Sequence, residues 1–212
     1  DRPADGKGVT LTPLSRSVTD DAITYDYVGV KLDRKARHAI LTVHAPKSAQ
    51  PTDIAGIEAA GAAWYPLQMA RELDDAILCL RTNELEMGTW LLKTEGDSAA
   101  VLAMDAVLQA QAGHWLVRET TGLLRRTFSR LDLSSRSLFA LIEPGSCFAG
   151  SYLEFALACD RSYQLALPDD STAQAGSGPR EAFDLIADTF GPGVNGPLVV
   201  VVDTRGAQDP AG

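Results

Sequence analysis

Residues 139–167, FALIEPGSCFAGSYLEFALACDRSYQLAL, decide the fold. The apolar run at the start of this stretch reads as a buried strand, ended by the turn pair Pro144-Gly145. The small-residue segment Cys147-Phe148-Ala149-Gly150-Ser151 then opens a helix. On that helix Leu153, Ala156 and Leu157 share a face, and Asp160 closes it before a second strand. A strand feeding a tight turn of small residues at a helix start leaves backbone N–H groups pointing outward. Such groups make an anion site, or an oxyanion hole for an ester or thioester carbonyl.

Outward from this stretch the chain alternates strands and helices. Residues 25–32 and 38–44 alternate in polarity and are rich in β-formers, with the charged turn Asp33-Arg34-Lys35-Ala36-Arg37 between them, a hairpin pattern. From Leu67, apolar residues recur at Ala70, Leu73, Ala76, Ile77 and Leu80, which is helical spacing with one buried face. Residues 88–94 read as a short strand, Glu95-Gly96-Asp97 as a turn and 101–112 as a helix. A longer helix follows, with Leu116, Thr120, Leu123, Leu124, Thr127, Phe128 and Leu131 on one stripe. Buried strands alternating with helices make an α/β domain. Periodicity alone allows either a stack of short ββα units or a doubly wound sheet.

The ends read differently. Residues 1–22 are polar and broken by Pro3, Pro13 and glycines, which suits a linker or extended arm. Residues 171–178 are small and flexible, a junction. Residues 179–212 form a tail with a helix begun by Pro179, capped by Ser177, and a strand at 198–203. The chain opens on Asp1 and carries no signal pattern, so we expect it to be a piece of something longer.

At 212 residues with 45% hydrophobic composition, the chain can bury a core. Its formal charge of −9 argues against a nucleic-acid surface, which needs clustered Lys and Arg. The basic residues Arg118, Arg125, Arg126, Arg130 and Arg136 carry two readings: the solvated face of a helix, or a platform for a polyanion such as the phosphates of coenzyme A. Cys79, Cys147 and Cys159 have neither zinc nor dithiol spacing, and suit reduced, buried thiols of a cytoplasmic protein. No apolar run approaches the roughly 18–20 residues of a membrane span, so no membrane role is expected.

The segment at 150–160 resembles the crotonase (enoyl-CoA hydratase/isomerase) superfamily, in which a strand leads to a small residue and three glycines, then x-Glu-Leu-Ala-Leu-x-Cys-Asp. Glu154, Ala156, Leu157, Cys159 and Asp160 keep that pattern. Gly150-Ser151-Tyr152 stands at the triple-glycine position. Some of those backbone angles suit only a residue without a Cβ, so Tyr152 implies a narrowed or remodelled site. The runs LDRKARHAILTVHAP (32–46), ARELDDAILCLRTNELEMGTWLLKTEGD (70–97), HWLVRETTGLLRRTFSRLDLSSRSLFALIEPGSCFAG (114–150) and LACDRSYQLALPDD (157–170) are similar to the benzoyl-CoA-dihydrodiol lyase family within that superfamily. Its members hold two crotonase-like halves, and this chain resembles the second; the better-preserved catalytic signature lies in the first.

The resemblance implies a crotonase-like ββα core over 23–170, incomplete at the C-terminus, with Pro46 in the loop that ends the opening strands. It implies Glu154 as a general acid/base and the Ser151 N–H as an oxyanion donor, the partner N–H coming from Ser98, Ala99, Ala100 or Val101. For Glu154 the plainer reading is a first-turn glutamate favoured by the helix dipole. The family's second carboxylate would fall near Gln174, where no acid stands; the nearby Asp169-Asp170 pair reads as a solvated loop. Without that partner, Glu154 could hold a water but not complete a two-carboxylate mechanism.

The activity so implied is ring cleavage of 2,3-epoxybenzoyl-CoA with water, giving 3,4-didehydroadipyl-CoA semialdehyde and formate. No cofactor is implied beyond the coenzyme A of the substrate. The implied partners are the acyl-CoA thioester, the first crotonase half and further copies of the chain. We expect the chain to act as the supporting half, inactive alone. A non-catalytic crotonase-like interaction module is the alternative. The run at 181–198 resembles the soluble porter region of MMPL/RND exporters, so an exporter fragment is a third reading for the tail, and a chimeric junction near 171–177 accounts for it.

The remaining candidates read as structural. His38 and His44 share a strand face and His114 stands apart, too few ligands for a metal site. Cys147 has no base placed beside it and reads as a packed thiol. Glu143 reads as a turn residue, and Trp64, Trp90 and Trp115 as core filling.

Overall fold

The computed structural model describes Gly6 and residues 8–164. Strands β1 (Ser17–Val18), β2 (Ala22–Thr24), β3 (Val28–Asp33), β4 (His38–His44), β5 (Thr89–Glu95), β6 (Ser137–Ile142) and β7 (Arg161–Gln164) form one sheet, in chain order. Pairing is antiparallel from β1 to β4 and parallel from β4 to β7. The change falls where hairpins give way to helical crossovers, because parallel neighbours need a long return path. Helices α1 (Ile54–Ala60) and α2 (Tyr65–Thr82) bridge β4 to β5, α3 (Ser98–Ala110) and α4 (Trp115–Asp132) bridge β5 to β6, and α5 (Leu153–Leu157) bridges β6 to β7. This mixed α/β sheet has the strand-and-helix order that the crotonase resemblance implied.

Side-chain alternation sets the buried face. Val28, Val30 and Leu32 of β3 and Ala39, Leu41 and Val43 of β4 turn inward. So do Trp90, Leu92 and Thr94 of β5, and Leu138 and Ala140 of β6. The register stacks Leu41 beside Leu92 and Trp90 beside Leu138, so bulky groups pack across strands. Residues between them on β4 and β5 stay half-exposed, so these strands are buried on one face rather than both. Helix α2 covers that face with Met69, Ala70, Leu73, Ala76, Ile77 and Leu80, the stripe expected from spacing. It starts at Tyr65-Pro66, where proline's missing N–H is harmless. Arg130 of α4 pairs with Asp74 of α2 at 2.6 Å, tying the two long helices together.

Two sequence expectations are corrected and one helix is added. The arm read over 1–22 includes β1 and the start of β2, which pair as Ser17 with Thr24 and Val18 with Ile23. The strand read over 25–32 starts later: β3 runs Val28–Asp33, and 25–27 form the turn from β2. Helix α1 was not anticipated, although Asp53 caps it by accepting the Gly56 N–H at 2.7 Å. The hairpin turn at 34–37 stands as read, closed by Asp33 Oδ1 accepting the Ala36 N–H. The junction at 171–178 and the tail at 179–212, with its exporter-like reading, lie outside the described residues, as do Asp169, Asp170 and Gln174.

Glu72 of α2 holds the unexpected turn. Its side chain is fully buried, accepting the Tyr27 N–H at 2.8 Å and the Gln68 amide at 2.9 Å. Burial pushes its pKa above the ordinary 4.5, outweighing the hydrogen bonds that pull it down. A carboxyl with a raised folded pKa contributes stability that is fully present below its unfolded value and is lost as pH rises through the folded one. The wild-type chain should therefore lose stability relative to Glu72→Gln as pH climbs above 4.5. Urea midpoints for both proteins from pH 4 upward check this; parallel curves would contradict it. Glu72→Ala should cost about 1–3 kcal/mol by leaving the Tyr27 N–H unmatched.

Candidate functional site

The segment that decides the fold is built as read. Strand β6 ends at Ile142, Pro144-Gly145 turns, and a 3-10 turn at Gly150–Tyr152 runs directly into α5. The helix starts where the small residues predict. Gly150 adopts φ +51°, and a Cβ there would run into the Asp105 carboxylate, so a side chain at this position would displace Asp105 from its place. Asp160 ties the far end back to the strand: its side chain accepts the Leu138 N–H at 2.8 Å, and its own N–H reaches Leu138 O at 2.8 Å. Its part in the motif is structural.

The candidate oxyanion donor is engaged. The Ser151 N–H donates to Asp105 Oδ2 of α3 at 2.6 Å. Of the expected partner amides, Ala99, Ala100 and Val101 are engaged. Asp97 caps α3, its side chain accepting the Ala99 N–H at 2.8 Å, while its carbonyl accepts those of Ala100 and Val101. These three serve the helix start. An anionic acceptor at the Ser151 N–H would repel a developing oxyanion rather than stabilise it.

Tyr152 fills the space beside the Gly150 turn. Its φ of −75° is ordinary helical backbone, so the residue needs no glycine for its angles. The change is one of volume. The ring is fully buried and tilted against Phe155 with centroids 5.2 Å apart. Its hydroxyl bonds to the Tyr65 hydroxyl, which donates to His44 O at 2.6 Å. This chain runs from the start of α5 to the end of β4, with Cys147 beside it. Burial raises both phenols' pKa values, keeping them neutral at physiological pH.

Cys147 is fully buried, and burial pushes its thiol up as well, so it stays a neutral packed thiol. Its N–H donates to Thr94 Oγ1 at 2.9 Å. Cys159 is pushed up to about 12 by burial and by neighbouring Asp160. Gly96 completes the strand ends: at φ +132° its backbone passes so close to Ala45 that a Cβ would lie 2.7 Å from that residue's own. The region above β4, β5 and β6 is thus packed by Tyr65, Tyr152, Cys147 and Ala45.

Glu154 lies elsewhere. It is exposed and lines an open cleft of about 730 Å³ between α3, α4 and α5. Asp105 and Ser151 form one wall, and Arg125, Phe128 and Asp132 another. Sequence reasoning missed Asp105, since nothing in the spacing of α3 marks it; the glycine at 150 is its only trace. The five arginines do not converge. Arg118, Arg125 and Arg126 are exposed, Arg130 is paired with Asp74, and Arg136 bonds to backbone carbonyls of Ser135 and Leu85. His44 faces Glu95 at 3.5 Å and His114 faces Glu58 at 3.2 Å. Among the described residues no group of three His, Cys, Asp or Glu could hold a metal ion, and no helix is long and apolar enough to cross a membrane.

Together these features define an α/β domain with a mixed sheet and a strand–turn–helix of crotonase pattern whose Ser151 N–H is already held by Asp105. The chain is 58% identical over 165 residues to the benzoyl-CoA-dihydrodiol lyase of Aromatoleum evansii. The match takes in 78% of this chain and 30% of that enzyme, so the chain spans less than a third of the curated relative it matches. The similarity read from the long runs at 32–46, 70–97, 114–150 and 157–170 is therefore borne out. No family model matches the chain. Among solved structures an enoyl-CoA hydratase from Geobacillus kaustophilus aligns at 16% identity with a TM-score of 0.42, over 66% of this chain and 46% of that one.

If Asp105 is the acceptor that holds the Ser151 turn, Asp105→Ala should cost about 1–3 kcal/mol by leaving a half-buried N–H unmatched. Asp105→Asn retains an acceptor oxygen and should cost less. Urea unfolding of the three proteins decides the point. A loss for Asp105→Ala within about 0.5 kcal/mol of zero, typical of a surface change, would refute it.

Proposed function

We propose that the chain is the supporting part of a ring-cleaving benzoyl-CoA-dihydrodiol lyase and does not turn over substrate by itself. The observation that carries this reading is the pairing of 58% identity to the lyase with a Ser151 N–H already held by Asp105. A thioester carbonyl would have to displace a carboxylate from that donor, against like charge. Tyr152 stands where the family keeps glycine, further limiting approach. Glu154 opens onto the neighbouring cleft rather than onto the strand ends.

The reaction proposed for the complete enzyme is hydrolytic ring cleavage of 2,3-epoxybenzoyl-CoA. One ring carbon leaves as formate and the rest as 3,4-didehydroadipyl-CoA semialdehyde. Atom balance takes up two water molecules for each epoxide and requires no external oxidant or reductant. Opening of the strained epoxide supplies driving force, so no cofactor is proposed beyond the substrate's own coenzyme A. The groups that polarise the thioester and activate water then belong to the other half, in a cytoplasmic enzyme. This chain's contribution is the packed sheet and helices against which that half is held.

Turnover of 2,3-epoxybenzoyl-CoA, followed by formate release, tests the reading. The chain alone should give none. The enzyme assembled with the other half should be active, and Glu154→Gln within it should change the rate by less than about threefold. A general acid/base would contribute about 10²–10⁴-fold. Activity of the isolated chain that disappears on Glu154→Gln would overturn the proposal.

A further inference from the structure

The cleft lined by Glu154 is shaped by helix surfaces. On α4 its lining residues are Thr121, Leu124, Arg125, Phe128, Ser129 and Asp132, spaced i, i+3, i+4, i+7, i+8 and i+11. That is a continuous stripe three turns long, about 16 Å at 1.5 Å per residue. It runs beside the stripe that α4 buries in the core, where Val117, Thr120, Thr127 and Leu131 point inward. Asp105, Leu108 and Gln109 repeat the same spacing on α3. Leu108 and Leu124 floor the cleft, while Leu157 at its edge is 68% exposed. Leu102 of α3 and Leu153 of α5, on the two helices that flank it, are 53% and 45% exposed.

Charge narrows the occupant. Asp105, Asp132 and Glu154 line the cleft against the lone cation Arg125. Such a wall disfavours the phosphates of coenzyme A and favours a cationic partner. Paired helical stripes over an apolar floor are the complement of an amphipathic helix anchored at i, i+3, i+4 and i+7. The lyase relative also extends well beyond the 30% of its length that this chain matches, so a large remainder of polypeptide exists to supply one. We propose that this cleft is the docking groove for an amphipathic helix, apolar on one face and bearing Lys or Arg at its margin, contributed by the remainder of the lyase. The inference rests on the reading that the chain is part of that enzyme, and it identifies the surface through which the part is held.

Mixing the purified 212-residue chain with the separately purified remainder of the Aromatoleum evansii lyase tests it, with affinity read by calorimetry at two salt concentrations. Leu157→Glu should weaken association at least tenfold. Asp132→Lys, an exposed change that suits a helix C-terminus, should weaken it about tenfold and flatten its salt dependence. Leu85→Glu, 65% exposed and outside the cleft, should bind as wild type. Circular dichroism confirms that each variant, and the remainder of the lyase, is folded. Association unchanged by both cleft substitutions overturns the groove while leaving the lyase reading intact. Self-association of the chain that these substitutions abolish overturns it in favour of a second copy. No association by any form of the chain overturns the lyase reading, and the groove with it.

Discussion

A single hydrogen bond, from the Ser151 N–H to the Asp105 carboxylate, organises the turn on which the strand-end region depends. It holds the turn that enters α5 and places the Asp105 carboxylate where a Cβ on residue 150 would lie. It also joins α3 to the segment linking β6 with β7. A charge-assisted bond of this kind is stronger than a neutral one. The carboxylate makes this N–H a structural donor, committed within the fold.

The rest of the strand-end region builds on the same turn. Tyr152 takes the volume beside that turn, and its hydroxyl continues through Tyr65 to the backbone of β4. Burying a phenol is favourable only if its hydroxyl finds a partner, and here each phenol supplies one for the other. Cys147 and Thr94 close the gap below. The strand ends are packed as core, and a solvent-facing cleft lies between α3, α4 and α5.

Much of this was legible in the sequence because it rests on periodicity. The apolar stripe of α2, the charged hairpin turn at 34–37 and the strand–turn–helix at 137–157 all follow from local spacing and turn residues. The turn between β2 and β3 was not legible, since it depends on Glu72, 45 residues beyond Tyr27, reaching back to hold one N–H. Helix α1 was missed because its only buried residue is Ile57, so it has almost no apolar stripe. The site was legible in kind but not in state. The crotonase resemblance nominated Glu154 and the Ser151 N–H, yet whether that N–H is free depends on Asp105, 46 residues earlier on another helix. Tyr152 announced a change, and only its packing shows that the change is one of volume rather than of backbone angle.

The account turns on whether the Ser151 N–H and the strand ends remain open to a thioester. Calorimetric titration of benzoyl-CoA into the 212-residue chain asks this most directly. A region closed by Asp105 and Tyr152 predicts no saturable binding heat up to millimolar ligand, an affinity weaker than about −4 kcal/mol. Saturable micromolar binding that is lost when Ser151→Pro removes the N–H would contradict it.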